Sequence, residues 1–166
     1  IVAHFSSAYA ESPPLNSTPE WLFPPRETED ANEGDIMGEP ISPDEVVQQF
    51  KRMKNTAPGI DGLTYATWRW VDPKGLILAL IFNTCCHNSR VPSGWKHSTV
   101  TLIHKGGEPS EMRNWRPISL QLTIYKLYTA IIARRIASWA IRTSSFSSSQ
   151  KGFLAYDGCP EHNFLL

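Results

Sequence analysis

Lys105 and Arg116 are the residues whose surroundings most openly invite chemistry. Lys105 ends a β-branched run, Thr99-Val100-Thr101-Leu102-Ile103-His104, just before Gly106-Gly107. Arg116 follows the next loop and precedes Pro117, whose ring pushes it toward extended backbone. If the two segments pair as a hairpin, both cations come to one side. Arginine then offers a planar fork and lysine a point charge, a clamp suited to a triphosphate or a phosphodiester. The alternative for Arg116 is an ion pair with Glu108 or Glu111 in the same loop, and the residue types leave both open. No G-x-x-x-x-G-K-[ST], H-E-x-x-H or G-x-S-x-G signature accompanies them. Cys85-Cys86-His87 suggests zinc, but neighbouring helical positions diverge by about 100°, so core or boundary cysteine is the expectation.

The elements that must hold these groups belong to a chain of 166 residues, one ordinary domain or a piece of something larger. With 41% hydrophobic and 19% charged residues, wholesale disorder and fibrous repeats are excluded. The longest apolar run, Leu76 to Phe82, falls far short of the roughly 20 residues of a membrane span, so no membrane partner is expected. Three cysteines give no even disulfide framework, and a reducing intracellular compartment follows. Neither end carries a start or stop signal, and both read as cut from a longer chain.

The formal charge is zero, but it is unevenly spread. Residues 1–50 hold ten acidic residues against Arg26 alone, whereas residues 51–150 hold 14 basic and four acidic ones. A hundred-residue stretch at +10 suits a polyanion, because each cation set against a phosphate releases condensed counterions. Nucleic acid is the leading partner class, with an ordinary solvated basic surface as the alternative.

Residues 1–40, with Pro13-Pro14, Pro19, Pro24-Pro25 and Pro40 among acidic and polar residues, predict a linker or extended arm. Trp21, Leu22 and Phe23 interrupt it, and such a cluster is expected to dock on the neighbouring domain. Ser42-Pro43-Asp44-Glu45 predicts a capped helix to about Lys54, with Val46, Val47, Phe50 and Met53 as its apolar stripe. Ala57 to Gly62 packs two turn signals, in which Asp61 is first of all a turn former. Thr64 caps a short helix through Trp70, and Pro73 starts a longer one to about Asn88. Trp95–His104 and Asn114–Ser119 predict extended segments. The long helix from about Leu120 to Arg142 carries Tyr125, Tyr128, Ile132, Ile136 and Trp139 at helical spacing.

Five ordered blocks then match a family. Ala57-Pro58-Gly59-Ile60-Asp61-Gly62, Val91-Pro92-Ser93-Gly94-Trp95-Lys96, Leu102-Ile103-His104-Lys105, Asn114-Trp115-Arg116-Pro117-Ile118-Ser119-Leu120 and Gln150-Lys151-Gly152-Phe153 resemble the N-terminal blocks of reverse transcriptases from non-LTR (LINE-type) retrotransposons. The wording around Cys159-Pro160-Glu161-His162-Asn163 looks most like the site-specific NeSL-like lineage, which carries a restriction-like endonuclease. The resemblance covers roughly residues 42–166.

It implies an α+β, helix-rich fold: an incomplete fingers region of a right-hand polymerase, with a β-hairpin and several helices, over residues 41–166 behind the 1–40 arm. It also implies that Arg116 and Lys105 contact the incoming nucleotide's phosphates. Pro58, Gly59, Asp61, Gly62, Lys96, Arg113 and Lys151 would lie along the RNA template, with Gln150 to Phe153 leading into the palm. Magnesium and a deoxynucleoside triphosphate are implied for the full polymerase, as are target DNA, a palm, a thumb and an endonuclease, in a nuclear setting. The palm's catalytic carboxylates follow the point at which this chain ends, so no catalytic residue and no metal ligand are assigned here. Asp157 is followed by a Gly158-Cys159-Pro160 turn, and Pro160 stops Glu161 from stacking above it on a helix. A stand-alone nucleic-acid-binding or protein-interaction remnant of a decayed element, and a fragment of a group II intron maturase, are the other readings of the same residues.

Overall fold

A computed structural model describes residues 38–147 and Gln150. The described chain is helix-rich, with four α-helices and one two-stranded antiparallel hairpin. The arm before residue 38, the Gly152-Phe153 block, Lys151, Asp157, Cys159 and Glu161 lie outside the described residues.

Helix α1 (Pro43–Arg52) begins as its sequence predicts: Pro43 occupies the first turn and the Ser42 hydroxyl accepts from the Glu45 N–H at 3.1 Å. The carboxylate of Glu45 is used across the core on Arg135. Val46 and Phe50 are buried and Val47 and Met53 half-buried, and Gln49 joins them inside at 5% exposure. Arg69 then closes the helix, its guanidinium donating to the carbonyls of Phe50 and Met53, both at 2.6 Å. Those carbonyls sit at a helix C-terminus, where a cation is favoured.

Helix α2 (Tyr65–Val71) is capped by Thr64, whose hydroxyl accepts from the Thr67 N–H at 3.3 Å. Helix α3 (Leu76–His87) starts three residues later than Pro73 suggests. The reason is Asp72, 4% exposed, whose carboxylate accepts from the N–H groups of Leu76 (3.0 Å) and Leu78 (2.9 Å) and so fixes the first turn beyond Pro73-Lys74-Gly75. At its other end Cys85 is buried, whereas exposed Cys86 places its Sγ 3.4 Å from the Tyr128 hydroxyl, so the two thiols diverge. Burial pushes both the Cys85 thiol and the Tyr128 phenol upward.

Trp95 is expected in a strand and instead lies in a 3-10 turn, Ser93–Lys96, at 7% exposure. Its ring sits 6.2 Å from Phe82, 5.9 Å from Tyr125 and 6.0 Å from Tyr128, an aromatic cluster that anchors the chain just before the hairpin. Strands β1 (Ser98–His104) and β2 (Trp115–Gln121) then pair from Ser98↔Gln121 to His104↔Trp115.

The long helix α4 (Thr123–Arg142) packs on α1 and α2. Its buried stripe is Ile124, Leu127, Ile131 and Arg135, one position off the expected one: Tyr125, Tyr128 and Ile132 flank it half-buried, and Ile136 and Trp139 are exposed. Two adjacent apolar stripes on one helix give periodicity no way to choose between them. The choice is made by Arg135, whose guanidinium reaches both carboxylate oxygens of Glu45 (2.8 and 2.6 Å) and the carbonyls of Glu39 and Pro40. That hydrogen bonding holds the Arg135 pKa above its usual value. As far as the arginine's own titration goes, the stabilisation is present below its unfolded pKa and is lost as pH rises through its folded pKa, in strong alkali.

Arg135→Met removes the donor from a carboxylate and from two carbonyls, and is expected to lower the unfolding free energy by about 3 kcal/mol or more. Glu45→Gln leaves the buried guanidinium one amide oxygen in place of a carboxylate and should cost about 2 kcal/mol. Urea denaturation measures both, and a neutral Arg135→Met would contradict the burial of this pair.

Candidate nucleic-acid interface

The hairpin stands off the helical body. Every residue of β1 is exposed except half-buried Leu102. Ile103 faces Arg116 in the register, and the Lys105 N–H donates to the Asn114 carbonyl at 2.7 Å, so the ladder continues one step beyond β1. Side chains alternate along each strand, so Lys105, Ile103 and Arg116 share a face and the two cations are diagonal neighbours. At such a diagonal, roughly 7 Å, two cations in water repel by only about 0.6 kcal/mol. Holding them together before an anion arrives is therefore cheap.

The turn that carries them is bonded to itself. The Asn114 amide donates to the Glu108 carbonyl (2.9 Å), the Trp115 indole donates to the Pro109 carbonyl (2.9 Å), and the Trp115 and His104 rings lie 5.0 Å apart. The two loop carboxylates are engaged elsewhere than on Arg116. Glu111 pairs with Arg113 at 2.7 Å, and Glu108 accepts from the Ser110 hydroxyl at 3.3 Å. Neither Lys105 nor Arg116 has an ion-pair partner among the described residues. The Arg113–Glu111 pair is exposed and worth at most about 1 kcal/mol, little resistance to Arg113 turning toward a phosphate.

The Pro58–Gly62 loop sits at the other end of the hairpin. Asp61 does act as a turn former, its carboxylate accepting from the Leu63 N–H at 3.1 Å, and the Gly62 N–H closes the turn on the Gly59 carbonyl at 3.1 Å. Gly59 is pressed against the β2–α4 junction, where a β-carbon would come within 2.7 Å of the Leu122 nitrogen. Thr123, fully buried, accepts from the Trp68 indole (2.9 Å) and donates to the Leu63 carbonyl (2.7 Å), while the Lys126 ammonium donates to the Ala57 carbonyl (3.0 Å). Loop, α2 and α4 are thereby one unit, with Ile60 projecting at 83% exposure. Lys96 is exposed beside buried Trp95 at the same end. Five strand residues separate this loop's contact at Leu122 from Arg116, about 20 Å of extended chain. The expected residues thus form two groups, Lys105, Arg116 and Arg113 at the tip and Pro58–Gly62 with Lys96 at the base.

A second basic surface escaped the sequence reading. An open groove of about 490 Å³ runs between the end of α1 and α4, lined by Arg52, Lys54 and Lys126 around Ala130 and Ala133, with no acidic residue in its lining. Arg134 lies nearby, its pKa lowered by burial and then by the Arg52 charge. The Lys51-Arg52-x-Lys54 run was its one visible signal, and nothing in the sequence brings Lys126 beside it.

No family model matches the chain. Among curated proteins, the probable RNA-directed DNA polymerase from transposon BS of Drosophila melanogaster is 33% identical over 117 residues, 69% of this chain and 13% of that protein. The corresponding polymerase from the X-element of the same fly is 34% identical over 119 residues, 70% of this chain and 13% of that protein. The chain's relatives are RNA-directed DNA polymerases of non-LTR retrotransposons. The retrovirus-related Pol polyprotein from the type-1 retrotransposable element R2 of Popillia japonica extends the set, 30% identical over 128 residues, 76% of this chain and 17% of that protein. The chain therefore spans between 13% and 17% of the length of these polymerase relatives.

Gly59→Ala forces backbone apart at the β2–α4 junction and is expected to cost about 2 kcal/mol. Gly62→Ala meets open space and only the strain of φ +66°, about 1 kcal/mol. Thermal melts of the two variants check the order, and an equally mild Gly59→Ala would mean that the loop is not seated on α4.

Proposed function

We propose that this chain is a fingers portion of a retrotransposon RNA-directed DNA polymerase. In this reading Lys105 and Arg116 take the phosphates of the incoming deoxynucleoside triphosphate, while Pro58, Gly59, Asp61 and Gly62, with Lys96, Arg113 and Lys151, border the RNA template. The observation that carries the reading is the pair of cations, without an ion-pair partner among the described residues, on one face of a self-bonded hairpin, in a chain whose relatives are such polymerases. Bond formation, its magnesium ions, the palm, thumb and endonuclease, and the grip on target DNA are assigned to parts of the polymerase outside this chain, acting in the nucleus. Among the described residues no three His, Cys, Asp or Glu side chains converge as metal ligands. No described helix is long and apolar enough to cross a membrane. The NeSL-like wording near Cys159 sets the proposed lineage.

The chain should bind single-stranded RNA with an affinity that falls as salt rises, at a log–log slope of about −0.7 per phosphate neutralised. With no nucleotide bound, Lys105 and Arg116 are open to RNA phosphates, so replacing both by Ala should flatten that slope by about 1.4 if each takes one. In a polymerase carrying this segment, Arg116→Ala should lower kcat/KM for nucleotide by about 10- to 100-fold, with Arg116→Lys rescuing only part. Fluorescence anisotropy reads the first effect and primer extension the second. An unchanged slope together with unchanged kcat/KM would overturn the clamp.

A further inference from the structure

The groove beside α1 has an apolar floor and a cationic rim, and its occupant must therefore combine apolar side chains with negative charge. Ala130 and Ala133 leave the floor low enough for a ring to approach, and Arg52, Lys54 and Lys126 stand around it. Neither Arg52 nor Lys54 has an ion-pair partner among the described residues. The described residues also leave Trp70, Leu76, Ile77 and Leu80 of α2 and α3 exposed, but Lys74 is the one exposed charge in the turn between those helices. Charge separates the two surfaces.

The chain itself contains a segment of the required chemistry. Glu20-Trp21-Leu22-Phe23-Pro24-Pro25-Arg26-Glu27-Thr28-Glu29-Asp30 sets two rings and a leucine beside four carboxylates. Its route is fixed at one end, because Arg135 binds the carbonyls of Glu39 and Pro40, and Asn83 clasps Ile41 through its N–H (2.6 Å) and its carbonyl (2.9 Å). Arg135 follows Arg134 and Ala133 on α4, so the anchored end lies within about one helix diameter, 10–12 Å, of the groove. Fifteen residues separate Phe23 from Glu39, a reach of up to about 50 Å. A tether of this length supplies an effective concentration on the order of millimolar, so even a weak contact is populated.

We propose that residues 20–30 of this chain dock in the α1–α4 groove, with Trp21 and Phe23 on the Ala130–Ala133 floor and Glu27, Glu29 and Asp30 against Arg52, Lys54 and Lys126. Docking neutralises the groove and leaves the hairpin cations free, so the arm confines polyanion binding to the hairpin. The inference does not depend on the polymerase reading, since it concerns only this chain's own surfaces.

The test uses the full chain with p-benzoylphenylalanine in place of Phe23. Irradiation followed by peptide mapping should place intramolecular crosslinks in the Arg52–Thr56 and Lys126–Ala133 peptides. A zero-length carbodiimide reagent should join Glu27, Glu29 or Asp30 to Lys54 or Lys126. Lys54→Glu, an exposed change, should reduce both the benzophenone yield and the carbodiimide yield to the remaining partner, Lys126, about threefold or more, and adding Glu27→Lys should restore part of the benzophenone yield. Crosslinks to the Trp70–Leu80 surface, to a second copy only, or to nothing would overturn the proposal. So would single-stranded RNA crosslinking to the groove peptides while the Phe23 probe does not, which would make the groove a nucleic-acid surface instead.

Discussion

Arg135 is 7% exposed, and a guanidinium placed so deep has to draw its acceptors from whatever packs against it. It obtains them from Glu45 on α1 and from the Glu39 and Pro40 carbonyls, so one side chain sets the position of α1 against α4 and the course of the backbone just before α1. The other buried polar group of α4, Thr123, performs the same service at the opposite end, tying α2 and the Pro58–Gly62 loop to the first turn of α4. Between them, Ile124, Leu127 and Ile131 bury the apolar stripe. Directional bonds at both ends and burial between them leave α4 one rotation about its axis.

That rotation is what positions the hairpin. β2 runs directly into α4, and Trp95, wedged among Phe82, Tyr125 and Tyr128, fixes the approach to β1. β1 is exposed apart from Leu102 and β2 is only half-buried, at Trp115, Pro117, Leu120 and Gln121, so the strands owe their shape chiefly to the ladder and to the side-chain bonds of the Glu108–Trp115 turn. A projecting, internally braced hairpin is a suitable carrier for cations. Its tip keeps Lys105 and Arg116 exposed and without an ion-pair partner among the described residues, while the turn prevents them from drifting apart.

Much of this was legible locally. Ser42 and Thr64 as caps, the Gly106-Gly107 turn, the extended backbone before Pro117 and the placing of both cations on one side all follow from neighbours a few residues apart. The misjudged elements depend on partners far away in the chain. Periodicity could not choose between the two apolar stripes of α4, because the choice rests on Glu45, ninety residues from Arg135. Pro73 looked like a helix start because nothing nearby announces that Asp72 turns inward to cap α3. Trp95 fitted a strand by composition, yet an aromatic cluster from two helices claims it for the core. The basic groove was hidden for the same reason, since Lys126 and Lys54 meet only after α1 and α4 pack.

The central claim is that the hairpin tip is where this chain grips a polyanion. Photocrosslinking of the full chain to single-stranded RNA carrying 4-thiouridine, with the adducts mapped by mass spectrometry, tests it most directly. The account predicts adducts between Lys105 and Arg116 in addition to those along the Pro58–Gly62 loop, weakened as salt rises, with the tip adducts lost in the Lys105→Ala, Arg116→Ala double variant. Adducts that bypass the tip, or that persist unchanged in the double variant, would contradict it.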